Sequence, residues 1–202
     1  MADRVVIFID AQNMYQGARR AFFNAREHYV QGQFRPDALG QLVVSKGPPG
    51  TSRTLEQIRI YSGRPDATRD PKGYAAHMRQ CAAWQSVGAV VIARTLRYPP
   101  TWPGDKAYEK GIDVALAVDF VSMAIDDEYD VGIVCSVDTD LIPALEYVAR
   151  KSGLRKTMEV AAWRSEKARG RLAMHGQSIW CHWLDLATYH AITDPTDYVP
   201  RV

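Results

Sequence analysis

Carboxylate, amide and hydroxyl side chains follow two apolar runs of the chain directly. The run RVVIFI leads into Asp10, with Asn13 close behind, and the run VGIVCS ends on Ser136 and leads into Asp138 and Asp140. Oxygen ligands of this kind are those that Mg²⁺ and Mn²⁺ prefer, and a cation offsets the repulsion between crowded carboxylates. If folding gathers these side chains, they could bind such an ion.

The pattern of apolar residues predicts the strands and helices that must position these side chains. Segments rich in β-branched residues predict six strands: Arg4–Ile9, Gln57–Ser62, Gly88–Ala93, Val131–Ser136, Thr157–Ala162 and Ile179–Trp183. The first, third and fourth are nearly all apolar, which is typical of parallel strands covered on both faces. Helical periodicity occurs in four segments: Asn13–Arg26, Pro71–Gln85, Ile112–Asp127 and Leu141–Ser152. Alternation of strands and helices predicts an α/β fold with a right-handed, mostly parallel sheet.

Ligands of such a sheet bind at the carboxyl ends of its strands. The strands before Asp10 and Asp138 both end at this edge, and the helix that begins near Asp113 follows the third strand and starts there too. Three segments would therefore deliver these acids, together with Asp140, to one place. A metal ion held there could activate water for attack on a phosphodiester. No histidine lies near these acids in the sequence, which disfavours a zinc site.

Each acid also has a purely structural interpretation. Asp10 could form a turn or cap the helix that follows, and Asp138 could be a turn residue. Asp140 precedes a helix with Pro143 in its first turn, so capping accounts for it well. Asp113 is favoured near a helix N-terminus by the helix dipole alone. It is the joint placement of the acids that favours a functional interpretation.

The composition is that of an ordinary globular chain. It has 202 residues, enough for one domain with a large core, and its net charge of +2 is no general sign of a nucleic-acid binder. Three widely spaced cysteines argue against a disulfide scaffold, and no segment is long and apolar enough for a signal peptide or a membrane span. We expect one cytoplasmic domain over residues 1–193, with a loosely held tail, Asp194–Val202.

Three motifs stand in the order VVIFIDAQNMY, EKGIDVALAVDF and YDVGIVCSVDTDLIPALE, and with the intervening strands they cover roughly residues 4–162. The combination of D-x-x-N, K-G-x-D-V and S-x-D-x-D is specific, and it resembles the NYN domain, a branch of the PIN-like nuclease superfamily. Ala11 and Val137 stand where that family usually has glycine. A β-branched residue such as Val137 disfavours positive φ.

The resemblance implies a Rossmann-like three-layer α/β/α sandwich, a Mg²⁺ or Mn²⁺ cofactor and RNA as the substrate. Carried over by position, the candidate catalytic residues are Asp10, Asn13, Asp113, Ser136, Asp138 and Asp140. We expect Asp10, Asp113 and Asp138 to hold one or two divalent ions, while the other three orient waters or ligands. A metal-bound water would then attack phosphorus and leave a 5′-phosphate product.

Basic and aromatic residues near the same edge are candidates for substrate binding. They are Arg64, Arg94, Arg97, Tyr98, Trp102, Lys106 and Lys110. The basic residues would hold phosphates, and the aromatic ones would stack on exposed bases. The Pro-rich segment Tyr98–Asp105 could instead form a packed lid or a partner surface. The charged segment Arg164–Arg171 is typical of a solvated helix or linker.

Two other functions fit the same residues. One is a non-catalytic RNA-binding or regulatory protein, which would bind without turnover. The other is a metal-dependent phosphoesterase with another substrate, although the second Asp of the D-x-D-x-[TV] motif is replaced by Gln12. DNA is not excluded as a substrate, because hydrolysis of this kind does not need the 2′-hydroxyl. The oligomeric state is left open, with a homodimer among the options.

Overall fold

In the computed structural model, which describes residues 1–151, 153–154 and 156–200, six parallel strands form one sheet. The strands are β1 (Asp3–Asp10), β2 (Arg53–Arg64), β3 (Val90–Thr95), β4 (Val131–Cys135), β5 (Thr157–Trp163) and β6 (Trp180–Leu184). They lie in the order β3-β2-β1-β4-β5-β6, and each neighbouring pair is parallel. The α/β fold and the six predicted strands are confirmed, with ends that shift by a few residues.

The described residues also form six α-helices, five between strands and one after β6: α1 (Ala11–Phe22), α2 (Pro36–Ser45), α3 (Pro71–Ser86), α4 (Ile112–Ile125), α5 (Ile142–Arg150) and α6 (Leu186–Ile192). A short 3₁₀ helix, Thr139–Leu141, precedes α5. Neither α2 nor α6 was predicted, because both are short and Gly40 interrupts the helical pattern of α2. Ser152 of the predicted helix Leu141–Ser152 and residues 201–202 of the predicted tail lie outside the described residues.

The path of the chain explains the three layers. It first moves outward from β1 to β3, then crosses back to β4 and moves outward to β6 on the other side. Because crossovers of parallel strands are right-handed, this reversal sends helices to opposite faces. The buried residues of α1, α2, α3 and α6 form one core cluster, and those of α4 and α5 form another. Successive residues of β1 alternate between the two clusters, with Ile7 and Ile9 in the first and Val6 and Phe8 in the second.

The described part of the C-terminal segment is anchored rather than loosely held. The backbone N–H of Asp194 donates to the carbonyl of Gln33 at 3.2 Å. The hydroxyl of Tyr198 donates to the buried Asp194 carboxylate at 2.7 Å, and that of Tyr29 donates to Asp197 at 2.7 Å. The contacts with Gln33 and Tyr29 join distant parts of the chain and have no local sequence signal, which is why the segment was predicted to be a tail.

Two further findings concern the charged segment Arg164–Arg171 and the length of the helices. Arg164–Arg171 is an irregular surface segment rather than a helix. No helix within the described residues is long and apolar enough to cross a membrane.

Candidate active site

The reversal of the chain between β1 and β4 leaves a crevice at the carboxyl ends of these two strands. Ile9 is the Cα partner of Cys135, so Asp10 and Ser136 are the next residues on either side of the crevice. Open α/β sheets bind ligands at such a switch point. The predicted acidic edge of the sheet is therefore the place where the topology favours a site.

Asp10 combines a structural role with a position in the crevice. It is only 7% exposed, and its Oδ1 accepts a hydrogen bond from the backbone N–H of Asn13 at 3.0 Å, which caps α1. Its Oδ2 accepts from the Ser136 hydroxyl at 3.3 Å. Capping thus uses one carboxylate oxygen and fixes the direction of the other.

The loop after β4 is tied to the start of α1 by side-chain hydrogen bonds. The Val137 N–H donates to Asn13 Oδ1 at 3.1 Å, and the Asp138 N–H donates to Ser136 Oγ at 3.1 Å. Among the described non-glycine residues only Asp127 has a positive φ, so Val137 adopts the loop conformation without strain. Valine in place of the family's usual glycine is therefore compatible with this loop.

Asp138 and Asp140 differ from each other in local role. Asp138 Oδ1 accepts from the Asp140 N–H at 3.0 Å and caps the 3₁₀ helix. Asp140 itself is exposed, and no side chain caps α5, whose N-cap residue is Leu141. The interpretation that Asp140 caps the following helix was wrong, because the intervening 3₁₀ turn moves the capping position to Asp138.

A further carboxylate, which sequence reasoning missed, joins Asp10 and Asp138 in the crevice. Glu109 Oε1 accepts from the Gly63 N–H at 2.7 Å, and Glu109 lines a cleft of about 220 Å³ together with Asp10 and Asp138. We call this the acid cleft. Asp113 lies beside the cleft, in the first turn of α4. Gly111, which has a left-handed φ of 76°, is the N-cap residue of that helix. The available signal was the position of Glu109 in the EKGID motif, four residues before the predicted acid Asp113.

The carboxylates of the acid cleft repel one another. Burial is the main cause of the raised pKa of Asp10, and the neighbouring charges of Asp138 and Asp113 raise it further. The hydrogen bonds that Asp10 accepts act in the opposite direction and lower its pKa. Burial and the charges of Asp10 and Asp113 raise the pKa of Glu109 to about 7. Within the described residues none of these four acids forms a salt bridge. The N-termini of α1 and α4 offset part of this negative charge.

The chemistry of the donors fits a hard divalent cation. The cleft offers carboxylate and amide oxygens, without histidine or cysteine among its lining residues. In the part of the chain that is described, no three His, Cys, Asp or Glu side chains already stand close enough together to hold an ion. Mg²⁺ commonly needs only one or two protein carboxylates, because water and substrate phosphate complete its shell.

One side of α1 completes the acid cleft. Gln12, Gln16 and Arg20 are spaced four residues apart, so they follow one another along the same face of the helix, and all three line the cleft. Arg20 is the basic residue of this lining. The four-residue spacing was visible in the sequence, but the direction of the face was not.

The basic residues predicted to bind substrate lie outside the acid cleft, around the ends of β2 and β3. Arg94, Arg97, Lys106 and Lys110 are exposed. Arg64 is half-buried and its Nη2 donates to Thr95 Oγ1 at 3.2 Å. The guanidinium of Arg94 reaches the vicinity of Gly111 at the start of α4. Their role as a phosphate-binding rim stays a prediction.

The aromatic pair of the Pro-rich loop is packed internally. Tyr98 and Trp102 are half-buried and meet edge to face, with ring centroids 4.9 Å apart. The Tyr98 hydroxyl accepts from the Asp66 N–H at 2.9 Å, and Arg69 lies over the Tyr98 ring at 5.3 Å. This geometry is that of the packed-lid alternative, and stacking of these rings on bases stays a prediction.

The order of the strands and the layered helices define a Rossmann-like α/β protein with a cluster of acids at its switch point. The NYN domain family model matches residues 4–173, and the chain belongs to this family. It is thereby a member of the PIN-like nuclease superfamily, as the sequence motifs predicted. The crystal structure of a protein of unknown function from Vibrio parahaemolyticus has a similar fold, with a TM-score of 0.51 and 19% sequence identity over 79% of this chain and 81% of that chain. No curated protein matches the chain.

The raised pKa of Glu109 predicts a pH-dependent stability of the metal-free protein. A carboxyl group with a raised folded-state pKa binds its proton more tightly in the folded state, so stability falls as pH rises from about 4.5 through about 7. Glu109→Gln should remove this decline and be more stable than wild type by about 1–2 kcal/mol at pH 8, after allowance for solvent screening. Urea unfolding at pH 5 and pH 8 in EDTA measures the difference. Glu128→Gln, at an exposed position, is the control, and a Glu109→Gln advantage that is equal at both pH values would contradict the prediction.

Proposed function

We propose that the chain is a metal-dependent ribonuclease that hydrolyses RNA phosphodiester bonds at the acid cleft and leaves 5′-phosphate ends. The observation that carries this proposal is the meeting of Asp10, Glu109, Asp113 and Asp138, which come from three separate segments and form no salt bridge within the described part of the chain. A purely structural role would not gather repelling carboxylates at the switch point, since each raises the energy of the others.

The acids are the groups that would hold Mg²⁺ or Mn²⁺. Asp10 and Asp138 supply directed oxygens, because a hydrogen bond to each fixes its orientation, and Asp113 and Glu109 add charge beside them. When bound, the ion supplies Lewis-acid stabilisation of phosphate charge and a lowered pKa of water. Two neutral side chains keep the acids in place: the Ser136 hydroxyl donates to Asp10, and Asn13 Oδ1 accepts from the Val137 N–H in the loop that carries Asp138.

The surroundings of the cleft suit a phosphate backbone. Arg20 in the lining of the cleft, and the exposed Lys110 beside Glu109 and Arg94 near Gly111, would hold phosphates around the acids. Gln12 and Gln16 provide donors that can reach phosphate or sugar oxygens. The small net charge of the chain, +2, therefore does not argue against RNA binding, because the positive charge is local.

The chemistry and the preference for RNA are tested with a labelled RNA that contains a single 2′-deoxynucleotide at the cleaved position. Hydrolysis by water leaves 5′-phosphate and 3′-hydroxyl ends and does not need the 2′-hydroxyl, so the substituted RNA should still be cut. An all-DNA strand of the same sequence should be cut more slowly, if at all. Products with 2′,3′-cyclic phosphate ends would contradict the proposal, and binding without any cleavage would favour the regulatory alternative.

Asn13 offers a prediction about the second layer of the site. Asn13→Ala removes the acceptor for the Val137 N–H and loosens the loop that carries Asp138. We expect cleavage to fall about 10- to 100-fold, with partial recovery at higher Mn²⁺ concentration. Asn24→Ala changes the same residue type at an exposed position and should leave the rate unchanged. A loss of activity that is independent of metal concentration would argue against this supporting role.

A further inference from the structure

A cavity of about 600 Å³ lies next to the acid cleft and has no part in the proposed hydrolysis. It opens between α1 and α3 at the ends of β2 and β3, and the C-terminal segment closes one side with Tyr198. We call it the aromatic cavity. Its volume is in the range of small-ligand sites, which are about 300–1,000 Å³.

The walls of the aromatic cavity are aromatic with polar groups between them. Tyr15, Phe34 and Trp84 contribute rings, and Gln33 and Gln80 contribute amides. The indole N–H of Trp84, a residue that is 5% exposed, and the amide oxygen of Gln33 have no hydrogen-bond partner in the described structure. Buried polar groups nearly always have a partner, so two residues of this lining carry unused hydrogen-bonding groups.

The charge of the lining selects for a neutral occupant. Among the described residues that line the cavity there is no lysine or arginine, and the one acid, Asp70, caps α3 by accepting from the Gly73 N–H at 2.8 Å. Burial, together with the nearby Arg64, lowers the pKa of His77 to about 4, so this wall residue is neutral near pH 7. The described lining therefore offers a phosphate no cationic side chain, whereas a flat heteroaromatic ring would find stacking surfaces and polar edges.

The aromatic cavity and the acid cleft share a wall. Gln12 lines both of them. Gly63 lines the cavity, and its N–H holds Glu109 of the cleft. An extended strand with a phosphate at the acids could therefore place a neighbouring base in the cavity.

We propose that the aromatic cavity binds one nucleobase of single-stranded RNA beside the phosphodiester that the acid cleft hydrolyses. This inference rests on the proposed function for the identity of the ligand. The cavity then selects which bond of a strand is presented to the acids, and the chemistry itself stays with the carboxylates.

The test is an abasic scan of a short single-stranded RNA, with binding measured by fluorescence anisotropy in EDTA. Ala76 lines the cavity on α3, so Ala76→Phe fills it, and Ala76→Leu is a milder version in case the larger side chain disturbs folding. Ala82→Phe and Ala82→Leu are the matched controls, at an exposed position of the same helix that is not part of the lining.

In wild type and the Ala82 variants, removal of the base at one position should weaken binding about tenfold, as expected for the loss of one stacked base. In the Ala76 variants that same removal should have no further effect. If no position stands out, if the same position still matters in both Ala76 variants, or if the RNA does not bind, the inference is overturned.

Cleavage of the same RNA with Mn²⁺, assayed separately, distinguishes this inference from the proposed function. Cleavage without a position-specific binding effect would reject the base-binding cavity and keep the nuclease. The position-specific effect without cleavage would keep the cavity and reject the nuclease.

Discussion

Replacement of Asp138 by asparagine is expected to lower the rate of RNA cleavage by more than about 10³-fold while the protein stays folded. Asparagine keeps the side-chain oxygen that accepts from the Asp140 N–H, so the 3₁₀ turn keeps its cap. It removes one negative charge that raises the pKa of Asp10, and this relieves repulsion in the metal-free cleft. The melting temperature in EDTA should therefore equal or exceed that of wild type.

The matched control is Asp185→Asn. Asp185 also caps a helix, accepting from the Thr188 N–H at 2.8 Å, but it lies at α6 and is absent from the acid cleft. Its substitution should leave the cleavage rate within about twofold of wild type, as is usual for a change remote from the reacting groups. Single-turnover cleavage and thermal unfolding of both variants give the comparison. An Asp138→Asn protein that cuts RNA at the wild-type rate would remove Asp138 from the catalytic set.

Replacement of Glu159 by glutamine should destabilise the fold by about 3–5 kcal/mol, because it leaves a buried guanidinium without its countercharge. Glu159 is fully buried in β5, and both of its oxygens contact Arg53 of β2, at 2.5 and 2.9 Å. His182 of β6 contacts the same carboxylate at 2.7 Å. The network thus joins three strands across one face of the sheet that carries the site.

The pH dependence of this network follows from the same contacts. Burial alone would raise the pKa of Glu159, but the hydrogen bonds from Arg53 and His182 hold it below its usual value. A carboxyl group with a depressed pKa contributes stability above its unfolded-state pKa and loses it as the pH falls. Glu159→Gln should therefore lose most at neutral pH and less in acid.

Urea unfolding checks this prediction, with Glu146→Gln as the control. Glu146 forms an exposed pair with Arg150 at 3.3 Å, and loss of such a pair costs at most about 1 kcal/mol. Equal and small effects for the two variants would contradict the account of the buried network. The folded fraction of Glu159→Gln should cleave RNA normally, since Glu159 does not line the acid cleft.

The parts of the fold that were predictable from sequence are those with strong local patterns. Short segments rich in apolar residues mark the strands, and the signal is strongest for β1 and β4, which lie at the centre of the sheet and are buried on both faces. Once the strands are parallel, chain direction alone places Asp10 and Asp138 at one edge. Asp113 follows from the position of its helix in the same way.

The parts that were missed depend on contacts between distant segments. Glu109 belongs to the acid cleft because the Gly63 N–H holds its carboxylate, 46 residues away in sequence. The C-terminal segment is anchored by the contacts of Asp194 with Gln33 and of Asp197 with Tyr29, and it contributes Tyr198 to the wall of the aromatic cavity. The sequence around each of these residues does not predict such long-range contacts. The position and direction of a strand, in contrast, can be predicted from its own residues.

The central claim is that the acid cleft hydrolyses RNA with a divalent ion, and one cleavage assay tests it most directly. End-labelled RNA is incubated with wild type and with the Asp10→Asn/Asp138→Asn double variant, in Mg²⁺, in Mn²⁺ and in EDTA. The account predicts cleavage by wild type with a metal, none in EDTA, and none by the double variant in any condition. Cleavage that persists in EDTA, or in the double variant with metal, would contradict it.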